Sequence, residues 1–182
     1  GEEPDSMALG GLPCHIGSQI FDIAPFELAA KVMIDFISEI KETVGYEIRE
    51  LNLGGGFGIK YLESDTPKPF SEYMKRVSVV VKNEAEKKNV KLPFILIEPG
   101  RSVVGAEGVT VYTVGAVKHI PNIRTYISVD GGMTDNPRYI LYQSDYDVMC
   151  ANKANEPKTE KVTVAGKCCE SGDLIQENAP IQ

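Results

Sequence analysis

The sequence predicts an α/β domain with a parallel sheet, followed by a domain of antiparallel strands. Over residues 1–105, three apolar strand-like runs alternate with two segments that have apolar residues near helical spacing. Strands and helices that alternate in this way form right-handed βα units of a parallel sheet or barrel. Over residues 106–182 no helical period persists, and Val, Thr, Tyr and Ile dominate, which is typical of antiparallel strands. The domain boundary is therefore predicted after Gly105.

The first half supplies its strands and helices in alternation. The strand-like runs are LPCHIGSQI, EIRELNLGGGFG and VKLPFILIEPGR. The third is apolar throughout FILI, as expected for a parallel strand covered on both faces. The segments PFELAAKVMIDFISEIKETVG and FSEYMKRVSVVVKNEAEKKN are predicted to be amphipathic helices.

The second half is predicted to consist of strands joined by polar loops. GVTVYTVGAVKHIPNIRTYISVDGG supplies the first strands, and a loop bearing Lys and Glu precedes KVTVAGK. The chain stops at GDLIQENAPIQ, and three βα units do not make an eight-stranded barrel. The sequence therefore predicts either a small open sheet or a part of something larger.

Composition and charge exclude several classes of protein. Asp and Glu outnumber Lys and Arg by 26 to 19, which argues against non-specific binding to nucleic acid. No apolar run is long enough to cross a bilayer, and the N-terminus lacks a signal-peptide pattern. We expect no nucleic-acid partner, no membrane partner and a cytoplasmic location.

The cysteines and histidines lack the spacing of a metal site. No CxxC pair occurs, and four cysteines are too few for a disulfide scaffold in a chain of 182 residues. We therefore expect reduced thiols and no metal. The residues concerned are Cys14, Cys150, Cys168, Cys169, His15 and His119.

Each of the three predicted parallel strands ends in a polar or glycine-rich tip. HIGSQ supplies His15 and Ser18, LNLGGGFG supplies Gly54–Gly56, and EPGR supplies Glu98 and Arg101. Consecutive glycines can aim backbone N–H groups at an anion such as a phosphate. The carboxyl ends of parallel strands are where ligands bind in such folds, so we expect the three tips to form one site.

Each tip also has a purely structural interpretation. The glycines form neither a G-x-G-x-x-G nor a G-K-[ST] fingerprint and could be a plain tight turn. Ser18 or Asp22 could cap the helix that follows, and Glu98 with Arg101 could be a surface ion pair.

Two motifs in the second half carry further polar residues. VDGGMTDNPRYILY contains Arg138 and Tyr142, although its Asp, Gly, Asn and Pro also suit a simple turn. GKCCESGD could be a polar turn with two small buried thiols. Alternatively, Cys169 and Glu170 could offer an acid and a carboxylate to a polar substrate.

Taken together and in order, HIGSQ, LNLGGGFG, EPGR, GGMTDNPR and CESGD resemble the diaminopimelate decarboxylases. These belong to the fold type III, alanine-racemase-like enzymes that use pyridoxal 5′-phosphate (PLP). HIGSQ and EPGR-like signals are shared with ornithine and arginine decarboxylases, whereas GGMTDNPR with CESGD points to diaminopimelate. The resemblance implies that residues 1–105 are the last three βα units of a PLP-binding (β/α)8 barrel, with residues 1–10 as a possible leader. Residues 106–182 would then be the first part of the β domain.

The resemblance also assigns roles around the cofactor. One histidine would stack on the pyridine ring, a serine and the glycine backbone would hold the phosphate, and an acid would bond the protonated ring nitrogen. In that order these residues are His15, Ser18, Gly54, Gly55, Gly56 and Glu98, with Gly100 and Arg101 lining the phosphate and substrate. The catalytic set implied is Cys169, Glu98 and His15.

The substrate residues implied by the resemblance address the two ends of diaminopimelate. Arg138 and Tyr142 would grip substrate carboxylates together with Arg101. In a homodimer, Glu170 would reach into the partner's site to meet the distal amino group, and Cys169 would act there as a proton donor. Paired arginines and an acid suit a substrate with two amino-acid ends.

The implied function is decarboxylation of meso-2,6-diaminopimelate to L-lysine and CO2 by a longer parent enzyme. The family's Schiff-base lysine lies in an earlier strand, so the segment alone is expected to be inactive. Two alternatives stay open: a PLP decarboxylase acting on ornithine, arginine or a carboxylated polyamine precursor, and a non-catalytic homologue.

Overall fold

The computed structural model describes residues 8–182, which form two compact units. The first unit contains residues 8–60 and Ser64–Gly108, and the second contains Tyr61–Glu63 and Val109–Gln182. Most of the possible leader, residues 1–10, lies outside the described residues. The domain boundary predicted after Gly105 stays a prediction.

The first unit is a three-stranded parallel sheet with two long helices, as the alternating pattern predicted. The strand order is β1-β2-β3, with both pairs parallel. Two short helical turns, one α and one 3-10, follow the last strand. In chain order the elements are β1 (Gly11–Pro13), α1 (Ala24–Val44), β2 (Glu50–Asn52), α2 (Phe70–Lys87), β3 (Phe94–Leu96), α3 (Arg101–Val104) and the 3-10 turn Gly105–Glu107.

The core of the first unit is built from apolar positions at helical spacing. The inner face of α1 buries Phe26, Ala30 and Ile34, and α2 buries residues four apart along its length. Together they cover Leu51 of the central strand β2. The helix α1 ends at Gly45, whose φ of 71° is the left-handed conformation that closes a helix.

The third strand is exposed, which corrects the expectation that both of its faces are covered. Phe94 is 78% exposed and Leu96 is 41% exposed. β3 lies at the edge of the sheet and pairs with β2 alone, and its side chains lie outside the apolar cluster that covers Leu51. An apolar strand at an edge keeps one flank of its backbone unpaired.

The second unit is a four-stranded sheet of order β4-β5-β6-β7. Its core is an apolar cluster that includes Val129, Val164 and Ile175. In chain order the elements are β4 (Val114–Ile120), β5 (Arg124–Val129), α4 (Arg138–Tyr142), the 3-10 turn Ala151–Lys153, β6 (Glu160–Ala165) and β7 (Leu174–Ile181).

This second sheet is mixed, whereas the sequence predicted antiparallel strands throughout. The outer pairs β4–β5 and β6–β7 are antiparallel, but β5 and β6 run parallel. A parallel pair needs a long crossover. Residues 130–159 supply it, and they include α4 and the GGMTDNPR motif.

Candidate active site

The tips of the three parallel strands lie side by side because backbone bonds continue past the strand ends. Cys14 N donates to Asn52 O at 2.8 Å, and Leu53 N donates to Leu96 O at 3.0 Å. One residue further on, Glu98 N donates to Gly54 O at 2.7 Å. The sheet register therefore brings HIGSQ, GGGFG and EPGR together at the carboxyl end of the three strands.

The turn at Gly54–Gly56 requires glycine for two reasons, its backbone conformation and the lack of space for side chains. Gly54 and Gly56 have φ values of 69° and 89°, which side chains rarely adopt. A Cβ atom at Gly55 would lie 2.3 Å from the carbonyl oxygen of Glu98. The strand tips can approach this closely only without a side chain there. The Gly55 N–H points toward His15 Nδ1 at 3.4 Å.

A cavity of about 200 Å³ lies at this end of the strands. Most of the cofactor residues implied by the resemblance line it, and Gly54 belongs to the turn beside it. Phe57 and Ser102 add to the wall, and neither was predicted. The lining residues are His15, Ser18, Gly55, Gly56, Phe57, Glu98, Gly100, Arg101 and Ser102.

Two residues that hold this end of the strands together were not predicted as site residues. Gln19 Nε2 donates to Ile59 O at 2.7 Å, and Ile59 N donates back to Gln19 Oε1 at 3.2 Å. The buried Tyr73 hydroxyl of α2 lies 3.0 Å from Ile20 O and 3.1 Å from Phe21 O. Gln19 stands within HIGSQ, which was a usable signal. Nothing in the helical pattern distinguishes Tyr73 from an ordinary core residue.

In the second unit, the Arg138 guanidinium lies between two aromatic rings. Its central carbon is 5.7 Å from the Tyr61 ring centroid and 5.6 Å from that of Tyr142. Nη2 donates to Ser144 Oγ at 3.3 Å, whereas Nε is buried and has no hydrogen-bond partner among the described residues. A buried donor of a cation without an acceptor is costly, and a carboxylate would satisfy it.

The helix that carries Arg138 is anchored to β7 by a polar network. Tyr139 Oη donates to Glu177 Oε2 at 2.8 Å, and Arg124 Nη1 donates to Glu177 Oε1 at 2.6 Å. Burial, reinforced by the bond to Glu177, raises the pKa of Tyr139 to about 12. The bonds from Arg124 and Tyr139 lower the pKa of Glu177. Neither Tyr139 nor Glu177 was predicted to have a role.

The CESGD turn is held by its last residue. Asp173 is 2% exposed, and its carboxylate accepts from Met133 N at 2.5 Å and Cys168 N at 2.6 Å. Gly132 and Gly166 pack against this carboxylate, where a Cβ atom would collide with it. Asp173 thus joins CESGD to GGMTDNPR, a role that sequence reasoning missed.

The other residues of the CESGD turn are exposed. Cys169 and Glu170 are both open to solvent, and Cys168 is half-buried. The interpretation of the turn as two buried thiols is therefore wrong. Glu170 Oε1 accepts from Ser171 Oγ at 3.2 Å within the turn.

The carboxyl end of the three strands fits a phosphorylated aromatic cofactor. The glycine turn approaches the neighbouring tip without side chains and leaves room for an anion beside Ser18. The carboxylate of Glu98 is an acceptor suited to a protonated ring nitrogen. The part of the chain that the structure describes contains no cluster of three His, Cys, Asp or Glu residues suited to a metal. It also contains no helix long and apolar enough to cross a membrane.

Two family models match the chain. The pyridoxal-binding domain of pyridoxal-dependent decarboxylases matches residues 2–105, and their C-terminal sheet domain matches residues 71–182. The first match begins at residue 2 and so includes most of the possible leader, residues 1–10.

Curated relatives carry the same similarity. The chain is 48% identical over 171 residues to a diaminopimelate decarboxylase of Bacillus methanolicus, covering 94% of the chain and 40% of that relative. It is 46% identical over 173 residues to the Bacillus subtilis diaminopimelate decarboxylase, and the match covers 95% of the chain and 39% of that relative. The chain thus spans about two fifths of the length of the curated relatives it matches.

Solved structures resemble the chain over almost its whole length. Diaminopimelate decarboxylase from M. jannaschii, also solved in co-complex with L-lysine, has a TM-score of 0.81 and 32% identity, covering 95% of the chain and 38% of that structure. A lysine/ornithine decarboxylase from Vibrio vulnificus has a TM-score of 0.74 at 19% identity, and the match covers 94% of the chain and 44% of that structure. At this low identity the likeness shows the shared fold alone.

Proposed function

The chain belongs to the pyridoxal-dependent decarboxylases, and we propose that the protein carrying it decarboxylates meso-2,6-diaminopimelate to L-lysine and CO2. The observation that carries the choice of substrate is the Arg138 guanidinium, which lies between two tyrosine rings and whose buried Nε has no hydrogen-bond partner within residues 8–182. Such a group suits a carboxylate, and diaminopimelate has a second one at its far end. The identity to diaminopimelate decarboxylases supports the same substrate.

The cofactor residues of the proposal lie at the strand tips of the first unit. His15 would face the pyridine ring, Ser18 and the backbone of the glycine turn Gly54–Gly56 would border the phosphate, and Glu98 would accept the ring N–H. Gly100 and Arg101 complete the wall. The chemistry that PLP would supply when bound is withdrawal of electrons from the carbon that loses CO2. The Glu98 carboxylate keeps the ring nitrogen protonated by a charge-assisted hydrogen bond, which supports that withdrawal.

The substrate residues of the proposal divide between the two ends of diaminopimelate. Arg138 binds a substrate carboxylate with Tyr142 beside it, and Arg101 assists from the cofactor site. Glu170 takes the distal ammonium group, and Cys169 delivers a proton to the carbon from which CO2 has left. Both stand exposed on the CESGD turn, as groups that act on a neighbouring subunit must.

We further propose a homodimer in the cytoplasm, in which Cys169 and Glu170 complete the partner's site. Residues 1–105 belong to the barrel domain and residues 106–182 to the β domain. The 182-residue chain alone is inactive, because the lysine that anchors PLP in this family lies outside it.

A substrate panel tests the proposed function. The full-length protein, supplied with PLP, is assayed for CO2 release from meso-diaminopimelate, L-ornithine, L-arginine and carboxyspermidine. We expect release from diaminopimelate at least about 100-fold above the others, since they lack the distal carboxylate that Arg138 would pair. Preference for one of the others would overturn the substrate, and PLP binding without release from any of the four would indicate a non-catalytic homologue.

A further inference from the structure

Asn52 connects the glycine turn to Glu98. It is the last residue of β2, and its side chain makes two hydrogen bonds in opposite directions. The Oδ1 atom accepts from Gly54 N at 2.8 Å, and Nδ2 donates to Glu98 Oε1 at 2.5 Å. Both ends of the amide are therefore used.

The orientation of this amide follows from its partners. The Gly54 N–H can only donate, so the carbonyl oxygen of the amide must face it. The NH2 group then has to face the Glu98 carboxylate, which as an anion can only accept. The bond to Gly54 also closes a turn that an Asn side chain two residues earlier is suited to form.

The bond to Glu98 uses one carboxylate oxygen and leaves the other open. Among the residues that the structure describes, Asn52 is the hydrogen-bond partner of the Glu98 side chain, and it bonds Oε1 alone. The Glu98 side chain is exposed, so no packing fixes its rotamer. Its direction at the cavity edge therefore depends on Asn52.

We propose that Asn52 is a positioning residue for Glu98: it fixes the carboxylate so that Oε2 faces the cofactor's ring nitrogen. The inference rests on the proposed role of Glu98. The Asn52 side chain then positions both the glycine turn and the Glu98 carboxylate. The phosphate and the ring nitrogen of the cofactor are therefore held at a fixed spacing.

The variant Asn52→Asp separates the two bonds. An Asp side chain keeps the oxygen that accepts from Gly54 N, so the turn is retained. It loses the donor to Glu98 and sets a second carboxylate against it, an arrangement in which like charges repel. Asn83→Asp makes the same chemical change on the exposed face of α2 and serves as the control.

The measurements use the full-length protein and include readouts besides activity. We expect Asn52→Asp to weaken PLP binding by about 10-fold, to change the visible absorbance of bound PLP and to lower kcat by about 30-fold or more. Its thermal unfolding and that of Asn83→Asp should match the unmodified protein, and Asn83→Asp should leave PLP binding unchanged.

A double-mutant cycle with Glu98→Gln tests whether Asn52 acts through Glu98. In the Glu98→Gln background, Asn52→Asp should change PLP affinity by less than about twofold. An equal effect in both backgrounds, or no effect of Asn52→Asp on absorbance and affinity, would overturn the inference. PLP affinity and absorbance need no substrate, so failure on diaminopimelate alone would sink the proposed function and not this inference.

Discussion

The two candidate regions of this chain are held in different ways. At the strand tips of the first unit, backbone bonds set the geometry, from Cys14 N to Asn52 O and from Glu98 N to Gly54 O. In the second unit, the helix with Arg138 is held by the half-buried Glu177, and the turn with Glu170 is held by the buried Asp173. This backbone site does not accept a Cβ at Gly55, and among side chains it depends on the few that bond to its tips, such as Asn52 and Gln19. A site held by side-chain carboxylates is weakened when one polar atom of such a carboxylate is exchanged.

The largest loss of PLP affinity is expected at Gly55, where the strand tips leave no room for a side chain. In Gly55→Ala the new methyl group would lie 2.3 Å from Glu98 O, so the two strand tips must move apart. We expect PLP affinity of the full-length protein to fall by about 100-fold or more, the scale on which small misplacements at such sites are felt. Titration of the visible absorbance of bound PLP measures it.

Gly108→Ala provides the matched control for that change. Its Cβ would meet its nearest neighbour, Gly105 O, at an ordinary 3.6 Å. PLP affinity should stay within about twofold of the unmodified protein. If Gly55→Ala bound PLP as tightly as Gly108→Ala, the contrast between a backbone site and a side-chain site would disappear.

The second prediction concerns the buried carboxylate of Asp173 in the second unit and its contribution to the free energy of unfolding. Asp173→Asn keeps one acceptor oxygen but turns an NH2 group toward a backbone N–H, which leaves a buried donor unsatisfied. We expect the free energy of unfolding to fall by about 2–3 kcal/mol, measured by urea denaturation of the 182-residue chain. Asp147→Asn, at a 56% exposed side chain paired with Lys158, should cost less than about 1 kcal/mol. Equal losses in both variants would show that Asp173 is no anchor.

The smallest effect depends on pH. Because the folded-state pKa of Glu177 is lowered, its ionised form stabilises the fold above the ordinary value of 4.5, and this contribution is lost as the pH falls through the folded-state pKa. Glu177→Gln should lower the free energy of unfolding by about 1 kcal/mol at neutral pH. The difference from the unmodified chain should shrink in acid. A difference that stays constant down to about pH 2 would contradict the ion pair with Arg124.

The same contrast explains how much the sequence could predict. His15, Ser18, Gly55 and Glu98 follow strands directly in the sequence, so the order of elements alone brought them together. The parallel pairing of β5 with β6 depends on the path of residues 130–159, which no local pattern specifies.

The anchoring residues were missed for a related reason. Asp173 and Glu177 act on residues far away in the chain, and each looks like an ordinary polar residue of a turn or strand. The exposure of β3 was missed because a run such as FILI has the same composition at the edge of a sheet as in its centre. Local sequence patterns therefore predicted the strand tips, whereas the anchoring residues and the exposure of β3 depend on long-range contacts that such patterns do not specify.

The most direct test of the account is Arg138→Ala in the full-length protein, with PLP binding and decarboxylation measured on the same sample. Losing one partner of a charge pair costs about 2–5 kcal/mol, so we predict that kcat/KM for meso-diaminopimelate falls roughly 30- to 5000-fold. PLP affinity should stay within about threefold, and Arg76→Ala on the surface of α2 should change neither quantity. Unchanged decarboxylation of diaminopimelate by Arg138→Ala would contradict the assignment of this guanidinium to the substrate carboxylate.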